Sequence, residues 1–269
     1  MSDAEVHARP RSDVWLTLNQ LRYTNKAFWR NPATAFFTFA FPLMFLVIFT
    51  VLFGNDTIDL SPGQTVNTST FYVASITAFS VITACYTNLA IGVSFLRDQG
   101  VLKRTRGTPQ PGWTYLAARI LHSVLVSLLL VVICVTFGAL FYDVTVPTTT
   151  LPAFLVTLVI GAASFCALGL ALTAVIPNAD ASPAIVNASI LPLLFISDVF
   201  IPLREDAPKW LSFLADLFPV KHFVEGMLAS FFPLPGESSF RPGDLLIMAV
   251  WGLAGLLLAI RFFSWEPRR

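Results

Sequence analysis

Six long stretches with little or no charge fill most of this 269-residue chain. Residues 33–53, 71–95, 123–142 and 151–176 contain no Asp, Glu, Lys or Arg, and residues 183–201 and 245–265 carry one charge each, Asp198 and Arg261. A helix rises about 1.5 Å per residue, so about 20 residues cross the roughly 30 Å hydrocarbon layer of a bilayer. Each stretch therefore reads as one membrane-spanning helix. The composition agrees: 12% of residues are charged, against about 25% in a soluble domain. With a net charge of +1, no strong field draws in nucleic acid, which is not an expected partner.

The basic residues set an orientation, because short basic connections stay in the cytoplasm. Arg9, Arg11, Arg22, Lys26 and Arg30 precede the first span, and Arg97, Lys103, Arg104 and Arg106 lie between the second and third. The first and third connections have no Lys or Arg, and Arg268 and Arg269 close the chain. Both termini are expected in the cytoplasm. Residues 1–31 then form a cytoplasmic arm, 32–265 a six-span membrane domain and 266–269 a cytoplasmic tail. The first apolar run begins beyond residue 30 and is too long for a secretory leader.

Two segments outside the spans have helical character. In the arm, Ser12 and Asp13 are start signals. Val14, Leu18, Leu21 and Phe28 share a face beside a basic stripe of Arg22, Lys26 and Arg30. An interfacial helix attracted to anionic membrane lipid and a partner-docking helix both fit. The connection 203–244 holds apolar residues at spacings of three and four, around Trp210, Phe213 and Leu217 and then Phe223, Met227 and Phe231. It reads as one or two interfacial or re-entrant helices on the outer side, broken at Pro219.

Chemistry-bearing patterns are few. No Gly-Lys dipeptide occurs, so there is no phosphate loop for ATP. His7, His122 and His222 are far apart in sequence, and Cys85, Cys134 and Cys166 lie within spans without metal-ligand or disulfide spacing, so no metal site is expected. Polar residues within the spans are mostly neutral. Thr77, Ser80 and Asn88 in the second, with Asn187 and Asp198 in the fifth, mark either a route for an amphipathic cargo or inter-helix hydrogen bonds. Arg119 and His122, one turn apart, read as anchors near a membrane surface.

The densest signal is the connection FLRDQGVLKRTRGTPQPGW, residues 95–113. Positive-inside anchoring explains its charges but not the Gly100 break or the Thr108-Pro109 stop. Together these describe a short helix with defined ends.

This segment resembles the cytoplasmic loop of ABC exporter permeases of the second type, a group that includes drug-resistance and polysaccharide or lipid exporters. The shared elements are Arg97, Asp98, Gly100, Leu102, Lys103, Arg104, Arg106, Thr108 and Pro109. A second resemblance covers Pro202, Pro208, Trp210, Leu211, Pro219 and His222. Among the group, the pattern is most similar to actinobacterial drug-resistance permeases. Gln99 departs from it, since the family commonly has an acid there.

The resemblance implies a bacterial plasma-membrane permease with six transmembrane helices and an N-terminal interfacial helix. It further implies a cytoplasmic coupling helix between spans two and three and re-entrant outer helices between spans five and six. It implies a second permease subunit, usually identical, and a separate ATP-binding cassette ATPase. That ATPase holds the ATP and magnesium, so this chain needs no cofactor of its own. The nine residues from Arg97 to Pro109 named above would couple to the ATPase. Other classes compete with this reading. A membrane enzyme acting on lipid would need Asp98, Arg104, Arg119 and His122 together, and an accessory subunit would need no ATPase.

Overall fold

The computed structural model describes residues 12–53, 57–61, 64–197, 199–200, 208–232 and 238–267. Among the described residues the regular structure is helical apart from one short antiparallel hairpin. Its strands, β1 (Thr57–Ser61) and β2 (Gln64–Asn67), pair Thr57 with Asn67 and Asp59 with Thr65.

Helix α1 (Asp13–Trp29) starts as its sequence directs, with the Ser12 hydroxyl accepting from Trp15 N at 3.3 Å. Thr17 and Thr24 are buried, while Val14 and Leu18 are exposed. The helix packs chiefly on α6 (Gly112–Phe141) through the Thr17, Thr24 and Phe28 side, and Arg22, Lys26 and Arg30 all face outward.

Helix α2 (Pro32–Phe53) is apolar all round and buries only a stripe of Ala35, Pro42, Leu46 and Thr50. Apolar residues exposed on every other face are what a bilayer accommodates and water does not. The second span is the centre of the bundle. It runs as α3 (Thr68–Ile82), a π-helical turn (Thr83–Thr87) and α4 (Asn88–Asp98), and every residue of α3 is buried.

After the short α5 (Val101–Arg106) come α6 and α7 (Leu151–Leu172). The largest helix–helix contact is between α7 and α11 (Pro242–Phe262). It is tight because Gly252 and Gly255 of α11 lie directly against Ser164 and Leu168, and Ser164 Oγ donates to Met248 O at 2.8 Å. Small residues at the contact are how helices associate in lipid, where burial of apolar area provides no drive.

Among the described residues, five helical segments are long and apolar enough to cross a membrane: Pro32–Phe53, Thr68–Asp98, Gly112–Phe141, Leu151–Leu172 and Pro242–Phe262. The stretch expected as the fifth of six spans forms α8 (Ser182–Ile196), which has only 15 residues. At about 1.5 Å per residue it is about 22 Å long, short of the roughly 30 Å needed. Between α8 and α11 lie α9 (Lys209–Leu217) and α10 (Pro219–Phe231), separated at Pro219 as the sequence predicts. Most of α9 is exposed, with Trp210 and Phe213 outward. By contrast α10 is core, with Val220, Phe223, Val224 and Met227 fully buried against neighbours that include α3, α7 and α11.

Candidate coupling site

The bend between α4 and α6 is built by its glycine and prolines. Helix α4 ends as Gly100 takes a left-handed conformation with φ of 70° and donates to Arg97 O at 3.0 Å. Only glycine adopts this conformation without steric cost. The chain restarts at once as α5, and Gly107 N closes that helix on Lys103 O and Arg104 O. Thr108 then turns back on Thr105 O through both its amide and its hydroxyl. Pro109 lies in the bend that follows, and Pro111, at φ −58° and ψ 129°, leads straight into α6.

This short helix has two faces. Leu102 is completely buried and pins it to the bundle. Lys103, Arg104 and Arg106 are exposed, as are Gly107, Thr108 and Pro109. Arg104 donates to Gln99 O at 3.2 Å, and Lys103 lies 3.8 Å from Glu266 in an exposed pair that contributes little.

Arg97 and Asp98 do not belong to that exposed face. Arg97 is buried and donates through its two terminal nitrogens to Thr173 O at 2.7 Å and Ile176 O at 2.6 Å. Those carbonyls lie just past the C-terminus of α7, where a cation is favoured by the helix dipole. Asp98 accepts from Ala179 N at 2.6 Å. Neighbouring residues of opposite charge therefore fasten the end of α4 to the α7–α8 connection. Of the nine expected coupling residues, Arg97, Asp98 and Leu102 form the base, Gly100 is the half-buried turn, and the exposed edge comes from the other five.

The residues expected along a cargo route separate. Thr77 and Ser80 are buried and back-bonded to Val73 O and Ile76 O of their own helix, so they serve packing. The π turn then alters the helical register, and Asn88 emerges exposed instead of continuing their face. Asn187 is exposed on α8, and Asp198 lies outside the described residues. A cavity of about 320 Å³ does reach the π turn, between α7, α8, α10 and α11. Its lining is apolar except near Tyr86 and Ser189, whose hydroxyls meet at 2.8 Å.

Sequence spacing hid an ionic cluster at the α9–α10–α11 end. His222 meets Asp244 through Nδ1 at 2.7 Å and Asp216 O through Nε2 at 2.8 Å. Lys221 meets Asp216 at 2.5 Å, and Glu225 lies 3.8 Å from Lys221 and 3.5 Å from Arg241. Burial, then the nearby Asp244 carboxylate, raises the Glu225 pKa. His222, Glu225 and Asp244 place their ligand atoms within 4.8 Å of one another. Both ring nitrogens of His222 are engaged and two cations already flank Glu225, so the arrangement is an ion-pair network joining three helices.

Several apolar helices of spanning length, with an exposed basic turn between two of them, define a multi-pass membrane protein. Residues 19–232 match the family described as ABC-2 type transporter, and the chain belongs to that family. It is 29% identical over 201 residues to ycf38 of Pyropia yezoensis, covering 74% of this chain and 67% of that protein, whose name describes it as a transport permease. A ycf38 of the same description from Porphyra purpurea is 30% identical over 204 residues, 74% of this chain and 68% of that one. YvfS of Bacillus subtilis, also named as a transport permease, is 24% identical over 197 residues, 73% and 78% of the two chains. Family and names indicate a transport permease rather than an enzyme, of a kind that generally works with an ATP-binding cassette ATPase.

Proposed function

We propose that this chain is the membrane permease subunit of an ATP-binding cassette exporter in a bacterial plasma membrane, with both termini cytoplasmic. Two copies pair, and each presents α5 to a separate ATPase subunit that holds the ATP and magnesium. Helix α8 supplies the sixth crossing, its shortness accommodated by local thinning of the bilayer, and α9–α10 form the re-entrant outer pair. The cargo is amphipathic or lipid-like (a drug, a lipid or a glycan carrier), in keeping with the apolar cavity beside the π turn.

One observation carries this reading. A helix of six residues exposes three cations on one side while Leu102, Arg97 and Asp98 fix its base to α7 and α8. An exposed cationic edge on a rigid base is suited to receive a push from an acidic partner surface and pass it inward. The enzyme alternative lacks its constellation, since Asp98 is held by Ala179 and Arg104 turns to Gln99.

The test is co-purification and transport with a co-expressed ATP-binding cassette ATPase subunit. Reversing charge at Lys103, Arg104 and Arg106 together abolishes ATPase association and ATP-driven transport while the chain still inserts. Full association and transport by that triple variant would refute the coupling role.

A further inference from the structure

A cavity of about 370 Å³ opens between α1, α2, α4 and α6, on a different side of the second span from the apolar cavity at α7. Its walls include Thr24, Asn31, Thr38, Asn88, Arg119 and His122. Three of these carry buried polar atoms with no hydrogen-bond partner: Thr24 Oγ1, Arg119 Nε and His122 Nδ1. Thr24 is only 5% exposed, and the His122 ring is held edge-on by Phe28 at 5.2 Å between centroids. Three unmet polar groups around one space are not what close packing produces by itself. Buried polar atoms in native proteins are nearly always paired, and exceptions call for a missing partner.

The partner's charge follows from Arg119. Among the described residues its hydrogen-bond partner is the Tyr115 hydroxyl at 3.4 Å, and the guanidinium lies 5.7 Å from that ring's centroid. Among the described residues no carboxylate lies within ion-pairing distance of it. An arginine within an apolar helix bundle is retained where it meets an anion or a water-filled path. A guanidinium binds phosphate through parallel N–H donors, and Thr24 and His122 would complete the set.

The partner's other half follows from the remaining wall, where Phe28, Leu89 and Val126 are apolar. A wholly hydrated anion has no use for that surface, and an acyl chain does. The volume lies in the range of small-molecule sites. Exposed Arg22, Lys26 and Arg30 on neighbouring α1 would enrich anionic lipid beside the opening.

We propose that this cavity binds an anionic glycerophospholipid, its phosphate on Arg119 and its glycerol and upper acyl chain along the apolar wall. The site is independent of ATPase docking, which uses the opposite end of α4.

Gly92 provides a clean way to close the cavity. It lines the space, and a Cβ built there meets nothing within 4 Å. A leucine at that position fills the cavity, and replacing a helical glycine favours the helix. The full chain, purified in neutral detergent, is titrated with dioleoyl phosphatidylglycerol or dioleoyl phosphatidylcholine, and retained lipid is counted by native mass spectrometry.

The wild type retains one phosphatidylglycerol per chain, about tenfold to a hundredfold more tightly than phosphatidylcholine. Arg119→Gln lowers phosphatidylglycerol to the phosphatidylcholine level, Arg119→Lys keeps most of the preference, and Gly92→Leu loses the bound lipid with unchanged melting. Lys209→Gln, which alters an exposed cation on α9, changes nothing. Equal retention of the two lipids by the wild type overturns the proposal, as does undiminished phosphatidylglycerol in Gly92→Leu. Arg119-dependent uptake of inorganic phosphate with no retained lipid also overturns it.

Discussion

Arg97→Met separates the buried clamp from the exposed coupling edge. Methionine keeps an unbranched side chain of similar reach and removes the guanidinium. Arg97 is 1% exposed and makes bonds of 2.7 and 2.6 Å to Thr173 O and Ile176 O. Hydrogen bonds from a charged donor contribute roughly 1.5–3 kcal/mol each, and a buried carbonyl left unpaired costs roughly 1–3 kcal/mol. Methionine avoids the desolvation of a buried ion, which offsets part of that loss. The net destabilisation is about 2–4 kcal/mol. At roughly 2–4 °C per kcal/mol for a large domain, the melting temperature falls by about 5–15 °C. Intrinsic-fluorescence melting of the purified chain in detergent reads this directly. Lys103→Gln, at a side chain 64% exposed, leaves the melt within about a degree. Arg97→Lys falls between the two, because one ammonium cannot serve two carbonyls as a planar fork does. Unchanged melting of Arg97→Met with lost ATPase association would refute the reasoning and place Arg97 at the partner interface.

Gly100→Ala meets no atom within 4 Å but forces a Cβ into the left-handed region, so it lowers stability by about 1–2 kcal/mol, read by the same melt. Gly161→Ala would drive a Cβ into the Phe223 ring. It destabilises by about 1–3 kcal/mol, and Phe223→Leu in the same chain recovers part of that loss, a coupling a double-mutant cycle measures. For Glu225, burial raises the folded pKa above its ordinary 4.5, so the folded state holds the extra proton between the two values. Stability therefore declines as pH rises from 4.5 through the raised value, and melting curves across that window flatten in Glu225→Gln.

Local chemistry made the element boundaries readable. Ser12, Gly100 and Pro219 each act through their own backbone or cap, so they mark the same positions in sequence and structure. The uncharged runs likewise match most helices closely. What the sequence concealed depends on neighbours. The π turn has no residue signature. The side that α1 turns toward the bundle is chosen by α6, and it carries Thr17 and Thr24 while Val14 and Leu18 stay exposed. Arg97 looked like part of the basic loop because a snorkelling, a docking and an internally bonded arginine read identically in one dimension. His222 and Asp244 are 22 positions apart, and only the α10–α11 packing brings them together.

The bend and α7 are joined more firmly than a loop and a span need be. At the π turn, a Cβ on Gly169 of α7 would stand 2.9 Å from Tyr86 O, so the two backbones touch there. Eleven residues on, about 16 Å along a helix, Arg97 and Asp98 fasten the same span to the segment after α7. Two contacts that far apart resist sliding and tilting alike, so a force on α5 displaces the second span and α7 as one body. Helix α2 is held differently, with 17% of its span buried, and α1 rests mainly on α6. The cavity at Arg119 draws its walls from both groups, Thr24 and Thr38 on one side and Asn88 and Gly92 on the other. Whatever fills it sets how α1 and α2 sit against the clamped span, so a phospholipid there would tune the packing between them.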